Sequence, residues 1–213
     1  KLLGFADIYE TAIGADMGAM AEAHHYVEKV ATKELPFLLT SCCPSWSMLA
    51  KKFFPETIGN ISNELTPMVA TARVIKKEHP DAKIVFIGPC ASKKLEASRR
   101  TVRSDVDFVI TFEELSGMFE AKGIVPSEIE DDEIDERATG AGRGYGVAGG
   151  VASAIEAVIR EYYPDVEVNI EHAESLAECK KMLMLAKVGK KNGCLIEGMA
   201  CPGGCVAGAG TCI

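Results

Sequence analysis

The chain has 213 residues, of which 47% are hydrophobic and 25% charged, and its formal net charge is −8. This is ordinary globular usage with enough chain to bury one sizeable core, and it excludes a disordered protein. No run approaches the roughly 18 apolar residues of a membrane span, so no membrane partner is expected, and an acidic chain lacks the basic face that nucleic-acid binding needs. The first residue is Lys1 and no basic-then-apolar leader follows, so the sequence reads as part of a longer chain, incomplete at its N-terminus.

Short apolar runs alternate with helical patterns, which predicts an α/β fold. In chain order the expected elements are a helix over Ala15–Ala31, a strand over Phe37–Thr40, and helices over Pro44–Phe54 and Pro67–Glu78. Strands over Lys83–Gly88 and Asp107–Thr111 come next, then helices over Phe112–Ala121 and Gly150–Tyr162. A strand over Glu167–Ile170, a helix over Ser175–Leu185 and a strand over Cys194–Glu197 complete the set. Ser175 precedes Glu178 by three positions, a capping-box pattern. The acidic stretch Ser127–Glu136 reads as a solvated loop or helix face, and the glycine-rich residues 138–150 follow it. Together they are expected to form the hinge between two lobes, residues 1–125 and 126–213, each of mixed or parallel sheet flanked by helices.

Eight cysteines are the unusual feature, yet they fall below the roughly 8–10% that marks a disulfide scaffold. They suit metal ligands, catalytic thiols or buried apolar residues in a reducing compartment, and a cytoplasmic location is expected. Three expected strands run into cysteine-bearing loops: Ser41-Cys42-Cys43-Pro44, Pro89-Cys90, and Cys201-Pro202-Gly203-Gly204-Cys205. Ligands gather beyond the carboxyl ends of strands in open α/β sheets, which brings these distant cysteines to one place, in the cleft between the lobes. A cage of soft thiolates suits an iron–sulfur cluster or zinc, and a single short cysteine pair argues against structural zinc. Adjacent Cys42 and Cys43 are not both expected to ligate one small site. Four ligands result if one of them joins Cys90, Cys201 and Cys205, and the other is then a free thiol beside the metal.

At these residues the sequence resembles the catalytic domain of FeFe-hydrogenases. Three signatures appear in order: Thr40-Ser41-Cys42-Cys43-Pro44-Ser45-Trp46, then Pro89-Cys90-Ala91-Ser92-Lys93-Lys94-Leu95-Glu96, then Glu197-Gly198-Met199-Ala200-Cys201-Pro202-Gly203-Gly204-Cys205. The resemblance implies a 4Fe–4S cluster on Cys43, Cys90, Cys201 and Cys205, with Cys205 bridging to a diiron unit that carries CO, cyanide and a dithiolate. It implies that Cys42 is the first proton carrier and that Lys93, in the same motif as Glu96, faces a cyanide. Met199 would pack against the cluster, and Met68 and Tyr145 would line the diiron pocket. Glu22 and Ser62 match the inner proton path, with His25 where an outer Glu belongs. The implied activity is reversible oxidation of dihydrogen to protons and electrons. An electron carrier such as ferredoxin, or further iron–sulfur domains, would serve as partner. The alternative is the hydrogenase-like iron–sulfur assembly proteins, which lack the diiron unit.

The chain departs from the family pattern at Gly88, where a Met is usual, at Met68 and Val69, where two Gln are usual, at Tyr145 for Phe, and at Ala209 within a triple Gly. These changes imply low turnover or hydrogen sensing. Periodicity by itself opposes one assignment: the apolar stripe Met17, Met20, His24, Val27, Ala31 puts Glu22 on the exposed side of its helix. Cys179 and Cys194 read as buried inert thiols, Cys212 as free, His24 as a core-edge residue, and His79-Pro80 as a helix end. Lys94, Arg99, Arg100 and Arg103 read as a solvated charged loop, and Trp46 as core packing.

Overall fold

The computed structural model describes residues 1–130 and 137–212, and the last six residues of the acidic stretch Ser127–Glu136 lie outside the described residues. Eight α-helices and five short strands are described: α1 Ala12–Tyr26, β1 Leu38–Leu39, α2 Pro44–Phe53, α3 Pro67–Glu78, β2 Val85–Gly88, α4 Ser92–Ser98, β3 Phe108–Thr111, α5 Phe112–Lys122, α6 Gly140–Gly144, α7 Gly150–Tyr162, β4 Asn169–Glu174, α8 Ser175–Lys187 and β5 Cys194–Met199. All described strand pairs are parallel, in one sheet of order β1-β5-β4 and a second of β2-β3. Parallel strands need crossover connections, and the helices between them supply these.

The larger sheet is covered on both faces. Ala15, Ala19, Ala23 and Tyr26 of α1 and Val151, Ile155 and Ile159 of α7 pack on one face with Leu38 and Leu195. Trp46 and Ala50 of α2 and Cys179 and Leu183 of α8 pack on the other with Leu39 and Ile196. Every residue of the central strand β5 is buried, Glu197 included, as the position between two helical layers requires. Trp46 is fully buried, donates from Nε1 to the Thr40 carbonyl at 3.1 Å, and lies so close over Gly198 that no side chain fits there.

The expected break near residue 125 does not separate the two sheets. Strand β1, from the first part of the chain, pairs with β5, and α1 packs against both α3 and α7. Helix α1 begins at Ala12 and passes into a π-helical turn over Val27–Ala31, so the single helix expected over Ala15–Ala31 changes geometry in its last turn. The stripe read as its buried face is the wrong one. Met17 and Met20 are half exposed and His24 is exposed, bonded to Tyr163 and Glu28, whereas Gly14, Ala15, Gly18, Ala19, Glu22 and Ala23 are buried. Small residues let α1 approach α3 so closely that a Cβ at Gly14 would collide with Pro67 and Thr71. Residue size decided the orientation here, and a hydrophobicity pattern does not weigh it.

Two short helices, α4 and α6, fall where loops were expected, so Lys94 stands on a helix and pairs with Glu114. The capping box expected at Ser175 is displaced by one residue: Ser175 accepts from the Glu178 amide, and the Glu178 carboxylate accepts from Glu174. A complete capping box is present instead at Thr111 and Glu114, opening α5.

Candidate metal centre

The three cysteine-bearing loops leave the carboxyl ends of β1, β2 and β5 and converge. Cys43 is buried, and Cys42, Cys90, Cys201 and Cys205 are half-buried. Burial pushes the Cys205 thiol up to about 12, helped by the neighbouring charges of Cys43, Cys90 and Cys201 and opposed by Lys93. Cys201 is raised likewise, by burial first and then by Cys90 and Cys43. Four thiols near enough to act on one another are costly to ionise together, and a bound cation would relieve this. Among the described residues no three His, Cys, Asp or Glu side chains are placed for a single metal ion.

Glycines and backbone bonds hold these loops. Gly203 and Gly204 have φ of 80° and 92°, the left-handed region that favours glycine. At Gly204 a Cβ would stand 2.5 Å from the Ala148 amide nitrogen and 2.6 Å from the Gly146 carbonyl. That close approach lets Ala148 donate to Gly203 and Val206 donate to Gly146. Gly210 donates to the Pro89 carbonyl at 2.8 Å, which fixes the Cys90 loop against the last residues of the chain. The Glu174 carboxylate accepts from the Gly203 amide at 2.5 Å, tying β4 to the same loop.

Two ionisable side chains flank the cysteines from opposite sides. Lys93 of α4 is only 8% exposed, and its Nζ donates to Glu96 Oε2 at 2.6 Å and to the Cys42 carbonyl at 3.1 Å. The pair stands at i and i+3, and a hydrogen bond between Ser45 and Ser92 at 2.6 Å joins α4 to α2 beside it. On the other side Glu22 of α1 is 2% exposed. Its Oε1 accepts weakly from the Ser41 amide at 3.3 Å and hydroxyl at 3.4 Å, and its Oε2 is buried without a partner. Burial raises its pKa from the ordinary 4.5 to about 7, while nearby Ser62 and the Ser41 groups pull it down. Ser62 is buried beside it, and its own hydroxyl accepts from the Glu64 amide. Cys42 is raised well above its ordinary value, first by burial and then by Glu22, Cys43, Cys205 and Glu197.

Met199 and Tyr145 are buried in the cluster of side chains against which Cys42 and Cys205 pack. Met68 is not in this group. It lies with Val69, Val106 and Phe86 on the far side of α3, lining a cavity of about 680 Å³ between α3, β2 and the N-terminal residues. His25 is half-buried, and among the described residues no hydrogen bond joins it to Glu22 or Ser62. The Phe86 ring fills the space where a side chain at Gly88 would stand. Cys179 is fully buried with its thiol on the Ala173 and Met199 carbonyls, Cys194 is buried, and Cys212 is exposed.

One residue within the third signature was not singled out. Glu197 of β5 is 1% exposed and accepts from the Gly149 and Ala152 amides, each at 2.8 Å, at the start of α7. A buried acid in a strand, paired in the fold with a Gly-Gly helix start, was the available signal.

Cysteine loops meeting at the ends of parallel strands, flanked by a buried lysine and a buried glutamate, define an α/β domain built around a thiolate-rich site. The chain matches the family model for the iron only hydrogenase large subunit, C-terminal domain, over residues 1–209, and it belongs to that family. It is 30% identical over 252 aligned residues to iron hydrogenase 1 of Clostridium pasteurianum, covering 99% of this chain and 44% of that protein. It is also 30% identical to the periplasmic [Fe] hydrogenase large subunit of Nitratidesulfovibrio vulgaris, covering 98% and 60%. A cytosolic Fe-S cluster assembly factor NAR1 of Kluyveromyces lactis is 37% identical over 91 residues, covering 43% of this chain and 19% of that one. The fold superposes on an [FeFe]-hydrogenase HydA(deltaEFG) structure with TM-score 0.80 and 25% identity, over 99% of this chain and 71% of the other. The chain thus spans about half the length of the curated hydrogenases it matches. Among the described residues no helix is long and apolar enough to cross a membrane.

Proposed function

We propose that this domain holds a 4Fe–4S cluster on Cys43, Cys90, Cys201 and Cys205 and, beside Cys205, a diiron unit with CO, cyanide and dithiolate ligands. There it oxidises dihydrogen reversibly. The residues present fit such a group: four converging thiols for soft metals, a buried cation, and a buried carboxyl with an unpartnered oxygen. When bound, the diiron unit supplies dihydrogen binding and exchange of its two electrons. The observation that carries the reading is Lys93. A lysine only 8% exposed, fixed by Glu96 and the Cys42 carbonyl and acting on Cys205, would present a held cation to an anionic ligand such as cyanide.

The protein's own part is to move protons and keep water out. Cys42 carries a proton between the site and Glu22. A carboxyl whose pKa is about 7 can accept and release that proton near neutral pH and pass it toward Ser62. His25 would serve the outer step. The departures at Gly88 and Tyr145, with His25 in place of an outer carboxylate, support low turnover or hydrogen sensing, with electrons passed to a ferredoxin-like carrier. A second reading is favoured by the stretch shared with the assembly factor: a non-catalytic iron–sulfur protein without the diiron unit.

Anaerobic reconstitution followed by maturation separates the readings. Four irons and four sulfides per chain, then CO and cyanide stretching bands in the infrared after maturation, are expected. Lys93→Ala should keep the cubane spectrum and lose those bands. Bands absent from the matured wild-type protein would leave the assembly reading, and one zinc per chain without iron would remove both.

A further inference from the structure

The pocket beside Cys42 contains a polar group to which the proton path gives no role. Tyr145, in the last turn of the glycine-rich helix α6 and its cap, is 7% exposed. Its hydroxyl lies over α1, where a Cβ built on Gly18 would stand 3.7 Å away. Gly18 and Glu22 are i and i+4, so they occupy the same face of α1 one turn apart. Tyr145 and Cys42 belong to one packed cluster. The charges that act on the Tyr145 hydroxyl are those of Glu22, Cys42 and Glu197, in that order. Glu22 is 2% exposed and its Oε2 has no partner, although a buried carboxylate oxygen left unbonded is costly.

We infer that Tyr145 is a positioning residue of this pocket, its hydroxyl joined to Oε2 of Glu22 through one ordered water that Cys42 also contacts. A buried water needs two to four polar partners, and these three side chains supply them. The hydroxyl donates to the water and the water donates to Glu22. This holds the carboxyl turned toward Cys42 and supplies a partner to Oε2, while Ser41 stays on Oε1. The groups facing Glu22 are then Ser41 and Cys42 from the loop after β1, Ser62 and Glu64 from the segment before α3, and Tyr145 from α6. A phenylalanine at position 145 would fill the same volume but remove the donor that fixes this water against Oε2. The consequence for hydrogen chemistry rests on the function proposed above; the hydrogen-bonded link does not.

Tyr145→Phe removes only the hydroxyl and tests the link in protein carrying the cubane alone. The carboxyl C=O stretch of protonated Glu22 is isolated by subtracting the infrared spectrum of Glu22→Gln, below the Glu22 pKa of about 7. In Tyr145→Phe that band should move to higher frequency, and the Glu22 midpoint should rise by about half to one pH unit, because a donor to the charged form is lost. An unmoved band and midpoint in a variant with full iron content would overturn the inference, whatever the hydrogen turnover. A moved band in protein that never shows CO and cyanide bands would uphold the link and remove the hydrogenase reading alone.

Discussion

Glu22 in α1 and Glu197 in β5 are buried to the same degree, 2% and 1% exposed, yet their surroundings differ in kind. Both Glu197 oxygens accept 2.8 Å bonds from amides at the start of α7, where the helix dipole favours negative charge. Glu22 has one oxygen weakly held and one unbonded. Burial raises both pKa values, opposed at Glu197 by the amides of Ala152 and Gly149 and at Glu22 by Ser62 and the Ser41 groups. A carboxylate fully engaged by fixed amides is a brace, and one left partly free is able to exchange a proton. Glu197 braces the Gly149–Gly150 turn next to the loop that grips Cys201 and Cys205, so the two acids serve the same site by different means.

The largest effect belongs to the four cysteines proposed as cluster ligands. Cys90→Ser should abolish cubane assembly, with iron per chain falling from four to near zero, because hard oxygen replaces a soft thiolate. Full iron retention there would show that the four-cysteine assignment is wrong. Next, Glu197→Ala should destabilise by about 2–4 kcal/mol in urea unfolding, since it leaves two buried amides unbonded and the α7 N-terminus without its anion. A loss below about 1 kcal/mol would end the contrast with Glu22.

Glu22→Gln should act in the opposite direction. Between about pH 4.5 and 7 the native state keeps a proton that the unfolded chain has released, so stability falls as pH rises through that window and levels off above it. The shift corresponds to about 3 kcal/mol, so the uncharged Gln variant should be more stable than wild type by up to that amount at pH 8, with little difference near pH 4. Matured Glu22→Gln should lose about 10²-fold in hydrogen turnover, the range for removing a proton relay. A variant less stable than wild type at pH 8 would show that the Glu22 charge is better solvated than its single weak partner set implies.

Much of this site was legible in the sequence because strand ends and cysteine loops coincide. A parallel sheet places its carboxyl ends together, which brings Cys43, Cys201 and Cys205 to one edge, whereas Cys90 follows β2 of the second sheet and its loop is tied in by the Gly210 to Pro89 bond. Lys93 was legible through its motif and, in retrospect, through Glu96 at i+3, the partner that makes its burial tolerable. Glu22 was not legible from periodicity. Its helix buries Gly and Ala rather than Met, because close approach of α1 to α3 and α7 outweighed the transfer of large side chains. Nor was the pairing of β1 with the sheet of β4 and β5 legible, since local sequence carries no record of it. Helix α6, with three glycines in five residues, gives no helical signal, and its Thr139 cap and packing on Asp16 produce it.

The smallest expected effect concerns Cys179, the thiol whose position invites the wrong conclusion. It lies behind the site, near enough for Cys43 to raise its pKa, and an eight-cysteine chain has thiols to spare as ligands. Its Sγ points instead to the Ala173 and Met199 carbonyls at 3.6 and 3.5 Å, inside the layer between α8 and β5, and burial holds the thiol at about 12. Fully buried and turned to two backbone carbonyls, it packs as a small apolar group away from the cysteine loops. Cys179→Ala removes one atom from a closed apolar layer and should cost about 1 kcal/mol, with iron content and cubane spectrum unchanged. Loss of iron in that variant would transfer one ligand position from the loops to α8. The site would then be built across the sheet and not at its edge, and the separation between bracing and proton-exchanging acids would have to be redrawn around a different centre.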